Sequence, residues 1–206
     1  MSKLEIPRKT VYRLSLYYRA LQRARDAHVE TVSSAALAKA AGVKPTQLRK
    51  DLTYFGQFGT RGLGYNVAQL SSALTEVLGT THLQPVILVG AGHLGSALLR
   101  YHGFAKEGFE VVAAFDIDAS RQRARDLGVK VLPMNKLDEF VRERRIKIAI
   151  LTVPANVAQE VANTIVAAGV QAILNFAPVI LQVPDKVVIN NVDLAIELEN
   201  LSYFIQ

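Results

Sequence analysis

Cysteine is absent from all 206 residues. Disulfides, thiolate metal sites and thiol redox chemistry are therefore excluded. Any response to redox state must come from a bound cofactor. No apolar run reaches the length of a membrane span, and the first residues lack the apolar core of a secretory signal. No membrane partner is expected. Internal repeats, low-complexity tracts and charge blocks are also missing. So are H-E-x-x-H, Walker A and nucleophile-elbow signatures. The four histidines are His28, His82, His93 and His102. None follows a later strand end, where a substrate would meet a cofactor and need a proton donor. No catalytic residue and no metal ligand is assigned, and any ligand is expected to be read rather than turned over.

What is present is half hydrophobic, enough for a substantial core in one large domain or two small ones. The charge is uneven. Residues 1–80 carry 12 Lys and Arg against 5 Asp and Glu, whereas residues 81–206 carry 12 against 13. The excess sits in the N-terminal part, as expected for a partner such as nucleic acid.

The central stretch is Val86-Ile87-Leu88-Val89-Gly90-Ala91-Gly92-His93-Leu94-Gly95. An apolar run of this kind reads as a buried parallel strand. The glycines of G-x-G-x-x-G then have separate duties. Gly90 makes the tight turn, Gly92 lets backbone approach a pyrophosphate, and Gly95 lets the following helix pack close to the strand. Free N–H groups at the helix start hold the anion. A second strand over 110–115 ends in Asp116, 21 residues after Gly95, a spacing suited to a carboxylate on an adenosine ribose. The pattern predicts dinucleotide binding, with a coenzyme-A-binding loop as the alternative. Strands and helices alternate from there on, the mark of a parallel α/β sheet. Strands are expected over 86–89, 110–115, 130–132, 147–153, 172–174 and 187–190. Helices are expected over 93–105, 119–127, 136–144, 155–168 and 194–204.

Before the glycine loop the pattern is helical. A helix over 7–28 places Val11, Leu14, Tyr18 and Leu21 on one face. Ser33 or Ser34 caps a second helix over 35–41. Gly42 ends it, and Lys44-Pro45-Thr46 opens a third, with Pro45 at its first position. Helix, short turn, helix is the helix-turn-helix pattern. On the third helix Leu48, Leu52 and Phe55 face inward. Thr46, Lys50 and Thr53 face outward, flanked by Gln47, Arg49 and Tyr54. Those side chains, with Ser33 and Lys44, suit duplex DNA. Arg or Lys bonds guanine, Gln bonds adenine, and Thr meets phosphate or a thymine methyl. Four glycines within residues 56–65 predict a β-hairpin wing with Arg61 at its tip, placed to enter a minor groove. A fourth helix over 67–78 buries Leu70, Leu74, Val77 and Leu78.

The last helix carries Leu194, Ile196, Leu198, Leu201, Phe204 and Ile205, more apolar surface than one groove covers. An exposed patch of this kind marks an interface, here homodimerisation. The expected class is α/β: a winged helix-turn-helix domain over 1–80, a Rossmann parallel-sheet domain over 81–192, and a dimerisation helix over 193–206. A small NAD-dependent dehydrogenase with a basic accessory domain is the rival reading.

Three stretches together resemble the Rex family of redox-sensing transcriptional repressors. They are Leu48-Arg49-Lys50-Asp51-Leu52-Thr53-Tyr54-Phe55-Gly56 with Gly59-Thr60-Arg61-Gly62-Leu63-Gly64-Tyr65, then Gly90–Gly95, then Leu174-Asn175-Phe176-Ala177-Pro178. The resemblance implies a bacterial, cytoplasmic homodimer that binds palindromic operator DNA and reads NADH against NAD+. It also implies that the C-terminal helix is exchanged between subunits. By position, Gly90, Ala91, Gly92, His93, Leu94 and Gly95 would hold the pyrophosphate and Asp116 the ribose, with Arg121 and Arg123 following close by. Tyr101 would lie near the nicotinamide, with Phe176 and Pro178 in its pocket and Asp193 as the carboxylate partner. Arg19 would pair with such an aspartate and couple the domains.

Overall fold

The computed structural model describes residues 6–60, 62–118 and 129–205. Arg61, the expected helix over 119–127, and Arg121 and Arg123 lie outside the described residues. The chain divides into two units, Met1–His82 and Leu83–Gln206.

The first unit contains α1 (Arg8–Asp26), β1 (Thr31–Val32), α2 (Ser34–Ala40), α3 (Pro45–Thr53), β2 (Gly59–Thr60), β3 (Gly64–Asn66) and α4 (Val67–Leu78). The strands form a small antiparallel sheet in the order β1-β3-β2. Leu14, Leu21, Leu37, Leu48, Leu70 and Leu74 are almost wholly buried together. Each such side chain contributes about 1.5–3 kcal/mol by leaving water.

The buried face of α1 differs from the one read off the sequence. Val11 is 41% exposed and Tyr18 is only half-buried. The inward residues are Thr10, Leu14, Tyr17, Ala20 and Leu21. The reason lies on α3, where Asp51 is buried. Its carboxylate accepts hydrogen bonds from Arg13 Nε at 2.5 Å, Arg13 Nη2 at 2.7 Å and Tyr17 Oη at 2.7 Å. Thr10 Oγ1 donates to it at 3.3 Å and Gln47 Nε2 at 2.8 Å. Apolar periodicity cannot register a face organised around a buried carboxylate. The face of α4 also shifts, to Val67, Leu70, Ser71 and Leu74, leaving Val77 40% exposed.

The second unit carries six parallel strands: β4 (Gln84–Val89), β5 (Phe109–Asp116), β6 (Val131–Pro133), β7 (Ile148–Leu151), β8 (Ala172–Asn175) and β9 (Val188–Asn191). Their order is β6-β5-β4-β7-β8-β9, the doubly wound order, which reverses direction at β4. Alternation along each strand divides the core between two faces. Ile87, Val89, Ala113, Phe115, Ala149 and Leu151 pack on one side. Val86, Leu88, Ala114 and Ile150 pack on the other. Among the described residues the helices are α5 (His93–Leu99), α6 (Gly103–Lys106), α7 (Leu137–Arg144, entered through a 3-10 turn), α8 (Ala155–Ala168) and α9 (Leu194–Tyr203).

Two further differences stand out. The single helix expected over 93–105 is broken between α5 and α6, with Tyr101 in the break. Gly103, a poor helix-interior residue, opens α6, and the Tyr101 ring lies against it so closely that a Cβ there would sit 2.3 Å from the ring. In α9 no residue is buried. Its Leu194, Ile196, Leu198 and Leu201 and the following Phe204 and Ile205 are between 52% and 84% exposed.

The Asp51 cluster generates a stability prediction. Burial alone would raise the Asp51 pKa, but hydrogen bonds from Arg13, Tyr17 and Gln47 outweigh it and hold the carboxyl below the usual carboxylate range. A depressed pKa makes this contribution fully present above the unfolded value of about 3.9, and acid removes it as pH falls through the folded value. Asp51→Ala should destabilise the N-terminal unit by about 1–3 kcal/mol, because it leaves the buried Tyr17 hydroxyl without its acceptor and the part-exposed Arg13 without its partner. Urea titration followed by far-UV circular dichroism at pH 7 and pH 3 tests both statements. A variant within about 0.5 kcal/mol of the parent would show that the cluster contributes little.

Candidate nucleotide cleft and nucleic-acid interface

The cleft forms where the strand order reverses. Beyond Val89 the chain turns at Gly90 with φ +101°, and a Cβ there would lie 2.6 Å from the Thr152 carbonyl oxygen. Gly92 is the N-cap of α5. At Gly95 a Cβ would lie 2.0 Å from the Gly90 carbonyl oxygen. The first turn of α5 thus rests directly on the end of β4, and Gly92 and His93 at its start line the cleft.

Side chains from the neighbouring strand ends tie this loop down. The Ala91 N–H donates to Asp116 Oδ2 at 2.7 Å and the Asp118 N–H to Oδ1 at 2.9 Å. Ser96 Oγ donates to the Ala91 carbonyl at 3.0 Å. Thr152 Oγ1 donates to the Gly90 carbonyl at 2.7 Å. Asp116 is buried and braces the loop itself, a role that spacing alone does not reveal.

A cleft of about 640 Å³ opens beside this brace, lined by Gly90, Gly92, His93, Asp116, Ile117, Met134, Thr152, Pro154, Val157 and Glu160 among others. Its walls are mostly apolar, and among the described residues its charged lining, Asp116 and Glu160, is acidic. Thr152, Pro154, Met134 and Glu160 escaped the sequence reading. Thr152 and Pro154 follow β7, beside the reversal point, where ligands of open α/β sheets bind, so topology was the signal that would have found them.

Tyr101, Phe176, Pro178 and Asp193 do not line this cleft. Tyr101 is 58% exposed and stacks edge-on against Phe104 at 5.0 Å. Phe176 is half-buried and packs with Phe104 on the same face of the sheet. Asp193 caps α9, accepting from the Ala195 N–H at 2.9 Å and the Ile196 N–H at 3.4 Å. Before it, Asn175 is fully buried. Its amide accepts from the Ala177 N–H at 3.0 Å and donates to Asn191 Oδ1 at 2.9 Å, shaping the turn that carries Phe176 and Pro178. Leu94 is 39% exposed on α5.

In the first unit, Ser33 caps α2, accepting from the Ala36 N–H at 3.1 Å. Lys44 occupies the N-cap position of α3 without a capping bond. Along α3, Thr46, Arg49, Lys50 and Thr53 are exposed, and Gln47 and Tyr54 are half-buried. Arg49 Nη1 donates to Ser34 Oγ at 3.1 Å, and the Thr53 hydroxyl donates to the Lys50 carbonyl at 2.7 Å. A groove of about 530 Å³ runs between α3 and the β2–β3 hairpin, lined by Ser33, Arg49, Thr53, Phe58 and Tyr65 among others. Burial raises the Tyr65 pKa, with Arg49 pulling the other way, so its hydroxyl stays a neutral donor. Arg19 is exposed on α1.

The contact between Gly95 and Gly90 generates a prediction. Gly95→Ala forces α5 off the end of β4, an overpacking that costs about 1–3 kcal/mol. Thermal unfolding should show a lowered Tm, and an unchanged Tm would mean that the helix does not approach the strand this closely.

Comparison with known proteins bears on both units. Residues 81–179 match the family described as "CoA binding domain", and residues 5–53 match "Putative DNA-binding protein N-terminus". The chain is 47% identical over 206 residues to the redox-sensing transcriptional repressor Rex of Carboxydothermus hydrogenoformans, covering 100% of this chain and 99% of that one. It is 45% identical over 198 residues to the Rex of Streptomyces coelicolor, covering 96% of this chain and 77% of the relative. Among solved structures it is similar to RSP in complex with β-NAD+ and operator DNA, with a TM-score of 0.89, 38% identity, and 97% and 92% of the two chains covered. RSP in complex with β-NADH is similar with a TM-score of 0.83, 35% identity, and 98% and 94% covered. Nearly half of the residues are shared over full length, and the fold agrees from the helix-turn-helix to the last strand: the chain belongs to the Rex family of redox-sensing transcriptional repressors.

Proposed function

We propose that this chain holds operator DNA through α2, α3 and the β2–β3 wing as a homodimer, and releases it when NADH enters the cleft beside Gly90. The observation that carries the reading is the cleft itself. It stands at the reversal point of the sheet, with the start of α5 on one side and the Asp116 carboxylate at the end of the next strand. In that arrangement Gly90, Ala91, Gly92, His93, Leu94 and Gly95 surround the pyrophosphate. Asp116 receives the adenosine ribose and repels a 2′-phosphate, so NAD(H) is favoured over its phosphorylated form.

The oxidised nicotinamide carries a positive charge and the reduced ring does not. A pocket built from Tyr101, Phe176 and Pro178 favours the reduced ring, because an unpaired buried charge is costly. A hundredfold preference needs about 2.8 kcal/mol. Asp193 and Arg19 then pass the state of the ring to the head domain. Two-fold heads engage half-sites only at whole-turn separations of about 34 Å, so a modest change in their spacing abolishes binding. In this reading residues 1–80 form the DNA-binding domain, residues 81–192 the sensor, and residues 193–206 the dimerisation segment, the whole acting in the bacterial cytoplasm.

Ser33, Lys44, Thr46, Gln47, Arg49, Lys50, Thr53, Tyr54 and Arg61 make the DNA contacts. Fluorescence anisotropy of a labelled palindromic duplex, at fixed salt, should fall as NADH is added and hold with NAD+ alone, with NAD+ raising the NADH needed. By linkage, operator DNA should weaken NADH binding by the same factor that NADH weakens DNA binding. NADH affinity unchanged by operator would overturn the coupling.

The "CoA binding domain" match favours a second reading, a coenzyme-A-responsive regulator. Coenzyme A carries a phosphate on its adenosine ribose, which meets Asp116 with no cation among the described residues that line the cleft. Competition for the cleft by coenzyme A but not by NADH would establish that alternative.

The apolar face of α9 generates the dimer prediction. Leu198→Asp with Leu201→Asp places two charges on that face. Sedimentation should shift from dimer to monomer, and affinity for a palindromic duplex should fall at least tenfold, since one head then holds one half-site. A double variant that still sediments as a dimer would place the interface elsewhere.

A further inference from the structure

We infer that Gln47 is an adenine-reading residue whose amide is locked in one polarity by Asp51, so that the head domain prefers adenine over guanine at one base of each half-site. The inference rests on the DNA-binding reading above and adds the chemistry of one contact.

Gln47 is the third residue of α3, in the N-terminal turn that reaches base edges when a recognition helix enters a major groove. Its side chain is half-exposed. One end of the amide is committed: Nε2 donates to Asp51 Oδ1 at 2.8 Å. The other end is open: Oε1 takes no hydrogen bond among the described residues and is not among their buried unpartnered atoms.

The polarity follows from Asp51. Its carboxylate sits between the Arg13 guanidinium and the Tyr17 hydroxyl and is buried. An ionised carboxylate can only accept. The Gln47 amide must therefore turn its NH2 group towards Asp51, since the flipped amide would set two acceptors against each other. One amide hydrogen is spent on Asp51. Oε1 and the hydrogen on its side of the amide remain for DNA.

That pair matches one base edge. Adenine offers its N6 amine as donor and N7 as acceptor side by side in the major groove, whereas guanine offers O6 and N7, two acceptors. A locked Oε1 meets an amine on adenine and another oxygen on guanine. A free amide could rotate to turn its NH2 to O6, and the lock forbids this. Asp51, which touches no DNA in this scheme, is a positioning residue, and the distinct readout of its role is base preference rather than affinity.

The test uses the full-length chain. Duplexes selected from a randomised pool define the preferred half-site, and anisotropy then measures affinity for every symmetric single-pair change. The wild-type protein should show one position where replacing adenine by guanine weakens binding by about tenfold or more. Gln47→Met should flatten that position to within about twofold and leave the ranking elsewhere unchanged. Asp51→Asn should reduce the adenine-over-guanine ratio there while Gln47 is intact. Should Asp51→Asn fail to fold, side-chain amide NMR of the wild-type protein reads the lock directly: one Gln47 Nε2 proton is shifted and protected, the other exchanges with solvent. A Gln47→Met profile parallel to wild type at every position overturns the inference, as do two equally exchanging Nε2 protons. A wild-type protein that binds no duplex overturns the DNA-binding reading itself, a different result from a lost preference at one base.

Discussion

The second unit depends on one joint, the close approach of α5 to the end of β4. Gly95 lies so near the Gly90 carbonyl that no side chain fits between them. Everything at the cleft follows from it. The helix starts at the loop itself, so Gly92 and His93 at its first turn line the cleft. The strands on either side lock the loop in place, β5 through Asp116 to the Ala91 N–H and β7 through Thr152 to the Gly90 carbonyl. A site braced from two strands needs little rearrangement to receive an anionic ligand, and preorganisation of this kind lowers the cost of binding.

The first unit solves a different problem. A helix-turn-helix has a small core, yet it must hold a basic helix in a defined orientation. Here the Leu14–Leu21–Leu48–Leu52 packing is joined by a buried carboxylate that reaches Arg13, Tyr17, Thr10 and Gln47 at once. A buried charge of this sort contributes modestly to net stability, because desolvation offsets much of the attraction. Its value lies in direction, since hydrogen bonds to two oxygens fix how α3 sits on α1 more tightly than apolar contacts alone. The same charge orients a side chain at the exposed start of α3. Core organisation and surface chemistry are in this way linked through a single residue.

Some of this was legible from residue order. The alternation of strands and helices, the glycine loop, the carboxylate at the end of the second strand and the helix-turn-helix all rest on local patterns, which periodicity and turn chemistry report well. The departures have a common origin. Tyr17 replaced Tyr18 on the inner face of α1 because of a partner 34 residues away on α3. The expected helix after the glycine loop broke at Tyr101 because its ring packs on Gly103 and against Phe104. Thr152 entered the cleft because β7 lies beside β4, though Thr152 is 62 residues along the chain from Gly90. Asp51 was quoted within a motif, but nothing in its neighbours announced that it would be buried.

By itself, then, the sequence determined the class of the protein: a basic helical head, a dinucleotide-type α/β body with no thiol chemistry, and a last helix with more apolar surface than its own chain can cover. Those properties depend on composition and on spacings shorter than about 25 residues, which the chain carries locally. Tertiary structure alone decided which carboxylate braces the loop, which glutamine end faces outward, and which residues from distant strands share a cleft. Hydrogen bonds between residues far apart in sequence settle these matters. Their geometry exists only once the strands have paired and the helices have packed.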